Sequence, residues 1–131
     1  MRKFTDEELS LAPAVAEVMG PWEPAPQDDF VAFVENFHYP YVSVVHDRDG
    51  EHIKDIYGGV SPRRRCYRLY SIEDCLEWLR EHTPNVGCEY WDEEPGWHVW
   101  VGGDIGWRCD TLLEALYRVI IECRQKQGKG E

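Results

Sequence analysis

The sequence predicts an α+β fold: one antiparallel sheet with helices on both faces, an α/β/α sandwich built as a single domain. Three observations predict it. Three segments carry apolar stripes of helical period behind capping residues. The strand-like segments between them are short and end in tight reversals, which suits antiparallel pairing. Along residues 97–101, alternation sends Trp97, Val99 and Val101 to one side and His98 and Trp100 to the other, so both sides carry large rings. A sheet with water on one side normally shows a polar outer face, so the second side requires a helix or an interface.

The chain of 131 residues fits one domain. It is read as a helix and connector over 1–22, a variable, insertion-like region over 30–65, and a strand–helix–hairpin–strand–helix core over 66–126. In "TDEELSLAPAVAEVMG", Thr5 and Glu8 make a capping box and Ser10 offers a second cap, which would place Pro13 in the first turn. Leu11, Val15, Val18 and Met19 form its apolar side, and Gly20 with Pro21 stops it. "PWEPAPQDD" follows as a surface connector pinned by Trp22.

The segment "DFVAFVENF" fits a helical stripe as well as a strand and is left open between the two. "YPYVSVV" has strand composition, and "HDRDGEHIKDIYGG" reads as a turn or long loop that reverses at Asp49-Gly50, which makes a hairpin. His46, Asp47, Asp49 and His52, with Asp55, are residue types that hold metals. They lack calcium-loop and HExxH spacing, and Asp-x-Asp-Gly is also what an exposed turn selects, so a solvated turn is preferred over a metal site.

"RCYRLY" is a strand, and Ser71 with Asp74 caps the helix "SIEDCLEWLREH", whose Ile72, Cys75, Leu76 and Leu79 share a face. "GCEYW" and "GWHVWVG" form a hairpin around Asp92–Gly96, and "DIGWRC" adds a strand. Thr111 and Glu114 cap "TLLEALYRVIIECRQK", with Glu114–Arg118 and Glu122–Lys126 as pairs on its wet side.

Fourteen Lys and Arg against 25 Asp and Glu give a net charge of −11, a field that repels nucleic-acid phosphates and anionic lipid. Nucleic acid therefore enters only through acidic mimicry. No apolar run is long enough for a membrane span, the N-terminus lacks a secretory signal, and the odd count of five cysteines without a CxxC pair reads as reduced thiols. The expected location is the cytoplasm.

"LAPAVAEVMGPW", "YSIEDCLEWLREH", the "GWHVWV" hairpin and "DTLLEALYRVIIE" together resemble the phage ABA sandwich domain. The likeness spans the first helix and roughly residues 69–124, and residues 30–65 depart from it. It implies a phage-encoded α/β/α sandwich in a bacterial host cell, with no catalytic residues to carry over.

No nucleophile–base pair, carboxylate dyad or phosphate-cradling loop stands out, so an enzyme and a cofactor are not expected. Two functions fit the sequence. The first is a phage accessory protein that binds a host or phage protein, a host-defence component among the targets, through Asp92, Glu93 and Glu94 and the nearby rings. The second is a small-molecule or nucleotide sponge in which Trp100, Trp107, Arg108 and His98 line a pocket, with a homodimer interface as one place for it. Against the pocket stands the simpler reading that Trp97 and Trp107 are core rings.

Overall fold

The structure is a computed structural model. It describes residues 4–22, 28–34, 37–38, 42–47, 52–55, 60–83, 85–102 and 105–129, with side chains except at 34, 37–38, 42–47, 55 and 126–129. The fold is α+β with antiparallel sheets, as the sequence predicts. Contacts divide the chain into two compact units, Met1–Leu69 and Tyr70–Glu131. The seam falls just after the strand in "RCYRLY", so that strand belongs to the first unit and not to the predicted 66–126 core.

In the first unit, helix α1 runs over Asp6–Met19. The predicted box forms: the Glu8 amide donates to Thr5 Oγ1 at 3.1 Å and the Thr5 amide donates to Glu8 Oε1 at 2.7 Å. Because this box starts the helix, Pro13 lies inside it and not in its first turn, and the Ser10 hydroxyl donates back to the Asp6 carbonyl instead of capping. The buried face is correspondingly rotated to Leu9, Ala12 and Val15, while Leu11, Val18 and Met19 are only half-buried.

Region 30–65 supplies most of a six-stranded sheet. The open segment resolves as strands β1 (Asp29–Val34) and β2 (Phe37–His38). β3 (Val42–Asp47), β4 (His52–Asp55), β5 (Val60–Pro62) and β6 (Cys66–Arg68) complete it. The order is β2-β1-β3-β4-β5, with β6 pairing on β1, and every pairing is antiparallel. The predicted hairpin is the β3–β4 pair, and its Asp49-Gly50 reversal lies outside the described residues. Phe30, Ala32, Ile53 and Cys66 form a core cluster with Trp22 packed against it. The Trp22 indole donates to Asp28 Oδ2 at 3.0 Å, and Arg63 donates to the Trp22 carbonyl, so the connector is pinned where the sequence suggests.

The second unit holds α2 (Ile72–His82), strands β7 (Val86–Trp91), β8 (Gly96–Val101) and β9 (Ile105–Cys109), and α3 (Leu112–Lys129). Both predicted start signals operate: the Asp74 amide donates to Ser71 Oγ, and the Glu114 amide to Thr111 Oγ1. The sheet order is β7-β8-β9. α3 packs on β8 and β9, while α2 packs on α3 and reaches β7, so the two helices share one face of this sheet. The cover expected on the second face therefore does not come from α2 or α3. Between helices and sheet lie Cys75, Leu79, Val99, Val101, Leu113, Leu116, Val119 and Ile120, all buried, and the buried Tyr117 hydroxyl donates to the Tyr70 carbonyl at 2.6 Å.

Candidate recognition surface on the second sheet

The pairing register decides which side chains meet. Glu89 opposes His98, which opposes Arg108; Gly87 opposes Trp100, which opposes Gly106; Trp91 opposes Gly96. Side chains directly opposite lie on one face, so Trp91, Glu89, His98, Trp100 and Arg108 share the face away from the helices. Val99, Trp107 and Cys109 share the other, together with Trp97 and Tyr90.

Three of the predicted ligand residues, His98, Trp100 and Arg108, therefore come together on one face, and Trp107 does not. Its indole donates to Glu122 Oε2 of α3 at 2.6 Å, and the Arg118 guanidinium sits 5.2 Å above its ring. Trp107 is thus a strand-to-helix fastener. The predicted Glu114–Arg118 pair forms at 3.2 Å, and the predicted Glu122–Lys126 pair falls on a side chain outside the described residues. Trp97 packs edge-on against Tyr90 at 5.6 Å beside the buried Val99 and Val101, as alternation predicts.

On the open face the rings are ordered by glycines. The Trp100 indole lies directly over Gly87, where any Cβ would collide with its six-membered ring. Gly96, at φ 143°, gives the Arg108 stem room to run toward the hairpin turn, where Arg108 Nη1 donates to the Pro95 carbonyl at 2.7 Å. Trp91 stacks on His98 with ring centroids 3.8 Å apart, and His98 Nε2 lies 3.4 Å from the Glu94 carbonyl oxygen. Trp91 and Trp100 nonetheless stay 42% and 38% exposed. Asp92, Glu93 and Glu94 are exposed at the turn beside Trp91.

These side chains form a strip and not a pocket. Arg108 is drawn toward the turn, away from Trp100, so the predicted quartet does not converge on one point. Sequence reasoning missed Trp91, whose place on this face follows from its pairing with Gly96; the β7–β8 register was the signal that would have found it.

Among the described residues no group of three or more His, Cys, Asp or Glu is placed to hold an ion, and most of the predicted metal residues fall outside that search. The backbones of His46 and Asp47 lie in β3 and His52 begins β4, while Asp49 and the side chains of His46, Asp47 and Asp55 lie outside the described residues. No helix among the described residues is long and apolar enough to cross a membrane. No family model, curated protein or solved structure matches this chain.

Proposed function

We propose that the chain is an accessory protein of the phage type its motifs resemble, and that it works by docking another protein, of the host, on the open face of the second sheet. The observation that carries this is the exposure of Trp91 and Trp100 on one face, beside the acidic turn. Exposed tryptophans flanked by polar groups are the composition of protein interfaces, where Trp, Tyr and Arg supply most of the binding energy. The acids Asp92, Glu93 and Glu94 give the strip a sign that suits a basic partner.

A strip favours a macromolecular partner over the small-molecule alternative, since small ligands are held in concave sites that surround them. The test compares proteins captured from host lysate by the wild type, by Trp91→Ala and Trp100→Ala, and by the triple reversal of Asp92, Glu93 and Glu94 to Lys, with Glu77→Ala on α2 as control. A partner held by the control but weakened at least about tenfold by either tryptophan change is the expected result, as for an interface hot spot. Equal capture by all variants would overturn the proposal, and a bound nucleotide seen in native mass spectra would favour the sponge.

A further inference from the structure

On the helix side of the second unit, away from the aromatic strip, a cleft of about 280 Å³ opens between the end of α2 and strand β7. Leu76, Arg80 and Thr83 form its helical wall at i, i+4 and i+7, and Val86, Gly87 and Cys88 of β7 line the other side, with Asn85 at the join. Leu76 and Val86 make part of the wall apolar. Among the described residues Arg80 makes no hydrogen bond or ion pair, although the chain carries 25 acids. The Thr83 hydroxyl already donates to the Leu79 carbonyl at 2.6 Å, so the guanidinium is the cationic donor of the wall, with the Asn85 amide beside it.

We propose that this cleft binds a compact organic monocarboxylate, with its carboxylate on Arg80 and its apolar part against Leu76 and Val86. A guanidinium pairs with a carboxylate through two parallel N–H···O bonds, a geometry that a neutral amide cannot reproduce. The volume suits a ligand of about benzoate size and is small for drug-sized molecules, whose sites start near about 300 Å³. Elsewhere the net charge of −11 repels anions, so anion selectivity at this position must come from a local cation.

Cys88 serves as the reporter, because it is exposed in the wall while Cys66, Cys75, Cys109 and Cys123 are buried. Burial pushes the Cys66 and Cys109 thiols up to about 12 and raises that of Cys75 as well, which keeps all three protonated and slow at mildly alkaline pH. The experiment measures alkylation of Cys88 in the whole chain by iodoacetamide, with benzoate or its neutral counterpart benzamide added. Benzoate is expected to slow alkylation saturably and benzamide at least about tenfold less effectively, as for one lost charge-assisted contact. Arg80→Gln is expected to remove the protection by benzoate, read as the ratio of rates with and without benzoate for each protein so that any change in Cys88 reactivity on loss of the neighbouring cation cancels, with an unchanged far-ultraviolet circular dichroism spectrum showing that the fold persists. Equal protection by both compounds, none by either, or full protection in Arg80→Gln would overturn the proposal.

Discussion

Gly87 shows how closely a single residue governs the candidate surface. Its missing side chain is the floor on which the Trp100 indole rests, and a methyl group there would occupy the space of the ring. Trp100 is partly exposed and can swing outward, so the ring and not the backbone is expected to yield. Gly87→Ala should therefore cost about 1–2 kcal/mol, the low end of overpacking, and should shift tryptophan emission to the red as the indole enters water. Urea unfolding and fluorescence check both, and an unchanged spectrum with unchanged stability would contradict the placement of Trp100 on Gly87. Residue-level chemistry was legible in the sequence where alternation alone decides it, as for Val99 and Val101. It was not legible for Trp91 and Trp107, since Trp91 acquires its neighbours from register across β7–β8 and Trp107 from α3, a helix whose position no local pattern encodes.

Among the elements, α1 carries an unusual burden. Pro13 is the eighth residue of a helix of 14, so the Leu9 carbonyl loses its usual amide partner and faces the pyrrolidine ring. The capping box at Thr5 and the buried face of Leu9, Ala12 and Val15 hold the helix together across that defect. Pro13→Ala is expected to raise stability by about 1–3 kcal/mol, the interior proline penalty less the entropy that proline removes from the unfolded chain. The urea midpoint reads it, and a fall would show that the ring's packing outweighs the backbone. The misplacement of Pro13 in the sequence reading came from two overlapping caps, Thr5 and Ser10, of which the first forms both box hydrogen bonds and the second donates to its own helix. β1 was illegible for a different reason. Phe30, Val31 and Ala32 are all buried in succession, because this strand pairs with β3 and β6 on its two edges and is covered on both faces. A strand buried on both sides shows no alternation, and its apolar run is indistinguishable from a helix stripe. The helices α2 and α3 and the β7–β8 hairpin were legible because each announces its ends locally, by a cap or a Pro-Gly turn.

At the scale of the molecule, charge is the property that composition alone makes plain, and it separates folding from docking. With 25 acids against 14 bases, the folded chain compresses like charges, and ion pairs seen among the described residues, such as Glu114–Arg118 and Asp28–Arg68 at 3.9 Å, are partly exposed. Such pairs contribute about 0–1 kcal/mol each, so their loss on screening is small beside the relief of net repulsion. Raising sodium chloride from about 0.02 to about 0.3 M shortens the screening length from roughly 20 Å to under about 10 Å, and the unfolding midpoint is expected to rise. Docking should respond in the opposite direction. A basic partner steered by Asp92, Glu93 and Glu94 associates more slowly once that field is screened, while dissociation, set by the exposed rings Trp91 and Trp100 that the partner covers, changes little. Thermal unfolding and association kinetics, measured over the same salt series, should therefore diverge: a higher midpoint with a lower association rate. If the midpoint falls with salt, the exposed pairs matter more than the net charge, and if association is indifferent to salt, the acidic turn takes no part in recognition.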